Sequence, residues 1–131
     1  MKTDKFYING EWVSPQGQKT IDVINPATES AVATLALGNK DDVDAAVASA
    51  RAAFDSYSKT TVQERIELLS KIIAVFSTKM GDVAQAISQE MGAPATLSQT
   101  AQAPSGIGHF AAALEALKHF QFEERIGNTL V

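Results

Sequence analysis

The sequence predicts an α+β chain in which short antiparallel strands come first and helices follow. An Asn-Gly pair at positions 9–10 lies between two alternating segments, and an Asn-Pro pair at 25–26 interrupts a further set of alternating residues. From residue 41 onward apolar residues recur at helical spacing behind capping patterns. These observations divide the 131 residues into a β-rich part, 1–37, and a helical part, 41–120.

Phe6-Tyr7-Ile8 and Glu11-Trp12-Val13 flank Asn9-Gly10, a pair that tolerates the positive φ values of a two-residue hairpin turn. After a second turn at Ser14-Pro15-Gln16-Gly17, Thr20 to Ile24 alternates as a third strand, with Ile21 and Val23 on one face and Trp12 expected against it. Pro26 fixes its own φ and pushes Asn25 out of the α region, so the strand should stop there. Asn25 and Thr28 can bond local backbone and favour a tight turn. Ala31 to Leu37 alternates again and should pair with the strand before it.

Asp41 is the expected N-cap of a first helix, whose buried side is Val43, Ala46, Val47, Ala50 and Phe54. Ser56 to Thr60 reads as a loop. Thr61 and Glu64 form a capping box that opens the strongest helix, with Ile66, Leu69, Ile73 and Phe76 in one stripe. Gly81 is expected to stop it, and Asp82 with Gln85 to cap a shorter helix ending at Gly92 and Pro94. The last helical region, Thr96 to Phe120, contains Pro104, so a break or kink is expected near Ala103 before Phe110, Leu114 and Leu117 resume the stripe. The closing Thr129-Leu130-Val131 suggests a cut through a strand.

Composition limits the chemistry. A net charge of -4 and a pI near 5.1 offer no basic footprint for nucleic acid. Apolar runs are short, which argues against a membrane span and against a signal segment after Met1-Lys2-Thr3-Asp4, so a cytoplasmic location is expected. Cysteine is absent, which removes disulfides, thiolate metal sites and a thiol nucleophile. Gly106-Ile107-Gly108 lacks the third glycine and the preceding strand of a dinucleotide fingerprint and reads as close helix packing. His109 and His119 have no carboxylate at metal-ligand spacing and read as surface or interface residues. Glu90 sits at a helix C-terminus, where the dipole disfavours it; that invites a role, although solvated glutamates are common there. No catalytic constellation follows from the residues alone.

Three stretches, Phe6-Tyr7-Ile8-Asn9-Gly10-Glu11-Trp12, Val23-Ile24-Asn25-Pro26-Ala27-Thr28 and the helix from Asp41 to Phe54, resemble the start of an NAD(P)-dependent aldehyde dehydrogenase. Glu64-Arg65, Glu90-Met91-Gly92-Ala93-Pro94 and Phe120-Gln121-Phe122 resemble that family's next landmarks, in order, so the resemblance covers the whole chain. Ala93 departs from the lysine usual before that proline, which bears on subfamily.

The resemblance implies an α/β fold in which these residues are the N-terminal, peripheral part of a Rossmann-like cofactor domain. It implies a longer enzyme that binds NAD or NADP and forms a dimer or tetramer. In such an enzyme a cysteine attacks the aldehyde, hydride passes to the nicotinamide, and a glutamate-activated water releases the acid. Catalytic and cofactor-binding residues are then expected outside this chain, none within it, and the chain alone is expected to be inactive and to bind no cofactor. Two lesser roles map inside it. Ile24 and Glu90 match positions that hold a structural monovalent cation in many members. Ala101 and Ser105 match positions lining the substrate entrance, with simple helix packing around Pro104 an equal alternative. A second class of reading is a free-standing helical module that binds a partner. The first reading expects apolar stripes left exposed, and hence self-association or marginal stability; the second expects a bundle closed over its own core.

Overall fold

The computed structural model describes residues 3–127, 129 and 130. Met1, Lys2 and Val131, which entered the expectations about a signal segment and a terminal strand, lie outside them. The first hairpin forms as its turn dictates: β1 (Phe6–Ile8) pairs antiparallel with β2 (Glu11–Val13), and Asn9 and Gly10 take φ values of 55° and 79°. Tyr7 lies opposite Trp12, and their ring centroids are 5.3 Å apart, so the indole has Tyr7 as a ring neighbour within its own hairpin.

The second hairpin joins β3 (Thr20–Asn25) to β4 (Ser30–Ala36), again antiparallel. Asn25 ends β3 as Pro26 requires: its side-chain oxygen accepts from the Ala27 N–H at 2.9 Å, and its carbonyl accepts from the Glu29 N–H at 2.8 Å. The register pairs Val23 with Ala33 but Ile24 with Ala31, so Val32 is the extra residue of a bulge. A third hairpin, β5 (Arg125–Ile126) with β6 (Thr129–Leu130), turns through Gly127 at φ 64°. All three two-stranded pairings among the described residues are antiparallel.

Helix α1 spans Lys40–Tyr57, and its cap is Asn39, not Asp41. The Asn39 side-chain oxygen accepts from the N–H groups of Asp41 and Asp42, while the Asp42 carboxylate accepts from the Asn39 N–H, both bonds of a capping box. Asp42 also accepts from the Gln16 N–H at 2.9 Å, and it is buried. One carboxylate therefore ties the turn between β2 and β3 to the start of α1. At the far end the helix runs through Ser56 into the expected loop, since no glycine or proline stops it, and the Ser56 hydroxyl donates to the Ala53 carbonyl without ending it. The stripe of Val43, Val47 and Phe54 exists but is exposed, 57–60% of each residue, where close packing on a neighbour was expected.

Helix α2 (Val62–Thr78) starts with the predicted capping box of Thr61 and Glu64. Arg65 in its first turn reaches back, donating to the Thr60 hydroxyl at 2.9 Å and lying 5.4 Å from the Tyr57 ring centroid. Helix α3 (Met80–Met91) follows after the single residue Lys79, and Gly81 lies inside α3 instead of ending α2. With no loop between the helices there is no extended position for an Asp82 cap; Asp82 instead sits in the first turn, 3.6 Å from the Lys79 ammonium. Gly92 ends α3 in the left-handed region at φ 67°.

Of the break or kink expected near Ala103, no break occurs, and the irregularity there is a π turn. Helix α4 (Ala95–Leu97), a π turn (Ser98–Gln102) and α5 (Ala103–His119) run on without interruption. The Ala103 N–H bonds the Ser98 carbonyl five residues back, and the widened turn accommodates the Pro104 ring, which would clash with a carbonyl four residues earlier in an α-helix. Helix α5 packs on α2, where Phe76 and Phe110 have centroids 6.3 Å apart and a Cβ at Gly106 would stand 2.8 Å from Phe76 Cζ. Gly106 is thus the close-packing glycine predicted, whereas Gly108 faces open space. Among the described residues the buried apolar ones are Ala84 and Ala103.

Three outcomes follow for thermal and chemical unfolding. Gly106→Ala must displace Phe76, costing about 1–3 kcal/mol against about 1 kcal/mol returned by helix propensity, while Gly108→Ala should stabilise by up to about 1 kcal/mol. Gly92→Ala should cost about 1–2 kcal/mol, since φ is positive there and Pro26 Cβ would lie 3.3 Å from the new methyl. The Asn39 N–H first, and the Gln16 N–H next, hold Asp42 below the ordinary aspartate value of 3.8. A folded-state value depressed in this way gives stability that is present above 3.8 and lost as pH falls through the lower folded value. Asp42→Asn should therefore melt lower than the parent at neutral pH, and the gap should close in melts run progressively below pH 3.8.

Candidate functional site

The polar and concave features gather where the second hairpin meets α3. Gly92 provides the contact: with no Cβ, it lets Pro26 and the Ala27 N–H approach to 3.3–3.4 Å of where a side chain would begin. The Asn-Pro turn and the end of α3, far apart in sequence, are thereby held together. Beside them lies a cleft of about 390 Å3 lined by Thr3, Val23, Val32 and Leu35 from the strand side and Gln89 and Glu90 from the helix side.

The residues singled out from the sequence are only partly gathered here. Glu90 lines the cleft; Ile24, expected to contribute a main-chain oxygen, is half-exposed and is not among the lining residues. Ala101 falls in the π turn and Ser105 in the first turn of α5. Both are exposed, and the Ser105 hydroxyl is engaged with the Gln102 carbonyl at 2.6 Å. His109 is exposed on α5, and His119 at its end shares Glu115 with Lys118, contacts of 3.0 Å each that hold the Glu115 carboxyl below its ordinary range. Among the described residues no group of three or more His, Asp or Glu side chains is placed to hold a metal ion, and no helix is long and apolar enough to cross a membrane.

A polar cluster that the sequence did not announce lies at the π turn. Ser98 is fully buried; its hydroxyl accepts from Ser88 at 3.0 Å and donates to Gln102 Oε1 at 3.2 Å. The Ser98–Gln102 spacing was readable, but its partner Ser88 comes from α3, and nothing local signals that pairing. These bonds join α3 to the π turn, and among the described residues no buried side-chain polar atom is left without a partner.

Gly106-Ile107-Gly108 lies within α5 with Gly106 packed on Phe76, so this pair is not a glycine-rich turn that presents backbone N–H groups to a pyrophosphate. The cleft at α3 presents a carboxylate, which would repel one.

Comparison with known proteins agrees with the architecture. Residues 12–129 match the model of the aldehyde dehydrogenase family. A 3-succinoylsemialdehyde-pyridine dehydrogenase from a Pseudomonas species is 46% identical over 128 residues, 97% of this chain and 27% of that protein. The crystal structure of a mutant aldehyde dehydrogenase C from Pseudomonas syringae, in complex with NAD+ and octanal, superposes with a TM-score of 0.94 at 39% identity, covering 98% of this chain and 27% of that one. An aldehyde dehydrogenase from Bartonella henselae gives a TM-score of 0.92 at 36% identity over 96% of this chain and 26% of its own. The short strands and helices correspond to the N-terminal part of those structures. The chain spans about 27% of the length of the curated relatives it matches. From the cap of α1 to the glycine that ends α3, a fold so closely shared over nearly all of its length places this chain in the aldehyde dehydrogenase family.

Proposed function

We propose that this chain is a non-catalytic structural part of a cytoplasmic, oligomeric enzyme that oxidises an aldehyde to the carboxylic acid with NAD+ or NADP+. The observation that carries this reading is the uncovered apolar surface: Val43, Val47, Phe54 and Val75 are 57–64% exposed, on helices that match family members over a quarter of their length. Helices with that composition are built to be covered. The sequence has no cysteine, so the nucleophile of such an enzyme has to come from polypeptide outside these 131 residues. The NAD+ and octanal bound by the Pseudomonas syringae relative favour NAD+ as the oxidant and an aliphatic aldehyde as the substrate class.

Within that enzyme the chain's own residues position and support. Asp42 and Gly92 fix the hairpins to the helices, and the α2–α5 contact at Gly106 sets the angle of the last helix. A monovalent cation at Ile24 and Glu90 and a substrate entrance at Ala101 and Ser105 belong to this reading as roles of the assembled enzyme. A free-standing interaction module would need a core closed over itself, and a core whose buried apolar members among the described residues are Ala84 and Ala103 does not favour it.

The test is complementation. The chain incubated alone with NAD+ and octanal should give no rise in NADH absorbance and no heat of NAD+ binding. Added to an aldehyde dehydrogenase deleted for its first quarter, it should restore turnover. Turnover by the chain alone would overturn the reading, and so would a monodisperse monomer that melts cooperatively above about 65 °C, a value at the upper end for mesophile domains.

A further inference from the structure

Two residues of the last helical run are buried at a spacing that an α-helix serves poorly. Ser98 and Ala103 are 0% and 1% exposed, and they lie five residues apart. In an α-helix five residues span about 500°, which turns the second side chain about 140° away from the first. A single neighbouring face would then not reach both. In the π turn the Ala103 N–H bonds the Ser98 carbonyl, so the same five residues close one turn, and α3 packs against both the π turn and α5. Ala101 and Ser105 stay exposed.

Pro104 accounts for part of this geometry. Its ring excludes a carbonyl four residues back, so the helix has to depart from α geometry near it. A break, a kink or a widened turn would each satisfy the proline. The Ser98 hydroxyl distinguishes among them: it accepts from Ser88 of α3 at 3.0 Å, which fixes the side of the turn that faces α3, and donates to Gln102 Oε1 at 3.2 Å. Downstream, Gly106 lies against Phe76 of α2, which fixes how α5 is turned. With α3 setting one end and α2 the other, the widened turn is what joins them.

We propose that Ser98 is a positioning residue whose hydroxyl, bonded to Ser88 and Gln102, holds the last helix in the π register and so sets the side on which Ala101 and Ser105 are presented. In the α register the Ala103 N–H would bond the Gln99 carbonyl, four residues back. Removing the Ser98 hydroxyl takes from Ser88 and Gln102 the partner each has in the π register, and with it the polar preference for that register. The functional consequence rests on the substrate entrance proposed above at Ala101 and Ser105; the register does not.

Scalar couplings across hydrogen bonds, measured between the Ala103 amide nitrogen and backbone carbonyl carbons in the isotopically labelled full chain, read the register directly. In the unaltered chain the coupling should go to Ser98. It should stay there in Pro104→Ala, and in Thr100→Ala, whose hydroxyl bonds only its own helix at the Thr96 carbonyl. It should move to Gln99 in Ser98→Ala and in Ser88→Ala. A coupling that stays on Ser98 in both serine variants would overturn the proposal by assigning the register to packing, and one that moves to Gln99 in Pro104→Ala would assign it to the proline. Loss of helical circular dichroism in both serine variants would overturn it too, because the hydroxyls would then hold the fold and not the register. In the complemented enzyme, Ser98→Ala should raise KM for octanal and leave kcat unchanged; an unchanged KM would overturn the positioning role. If the unaltered chain restores no turnover, the function proposed above fails, and the couplings still decide the register.

Discussion

The approach of α5 to α2 at Gly106 is the constraint on which the helical part depends. Phe76 occupies the space where a side chain would be, and that contact sets the spacing at which Phe110 meets Phe76 and the stripes of the two helices interdigitate. Small residues do the same work nearby: Ala84 on α3 and Ala103 at the start of α5 are buried because their neighbours come close. The chain has few large side chains fully inside it. Dispersion at short range between backbones and small side chains holds the helices where bulky burial does not.

The β part is attached differently, through polar groups and two glycines. Asp42 links the loop ahead of β3 to α1, and Gly92 receives the Asn-Pro turn at the end of α3. Gly38 adds a third contact, with Phe6 Cζ 3.5 Å from where its Cβ would be. Each attachment needs a specific residue type: a carboxylate facing two N–H groups, or a position without a side chain. The cleft beside Glu90 lies between the second hairpin and α3, which are held together at the Gly92 end.

Features with a local cause were legible in the sequence. Asn9-Gly10 fixes its turn through positive φ, Asn25-Pro26 through the proline ring and the Asn25 oxygens, and Thr61 with Glu64 closes a capping box within four residues. Features decided by partners distant in sequence were not. Asn39 and Asp41 are both good caps, and the choice fell to Asn39 because Asp42 then meets Gln16 as well. Pro104 signalled a disturbance, but whether the helix breaks or widens depends on the i+5 bond to Ser98 and on Ser88 across the interface. The same division applies to the site: Glu90 stood out by its place at a helix end, whereas its neighbours Val23 and Val32 come from a packing that no local spacing encodes.

The π turn at Ser98–Gln102 can also be regarded as an α-helix holding one extra residue. One residue advances a helix by about 100°, so side chains before the turn are out of phase with those after it by that angle. Had the segment been purely α-helical, the face of α4 that meets α3 would be rotated away from the face with which α5 meets α2. A length difference of a single residue between family members in this segment would therefore not be a neutral surface indel. It would mark a change in which side of the final helix faces the rest of the molecule, readable from an alignment without any structure.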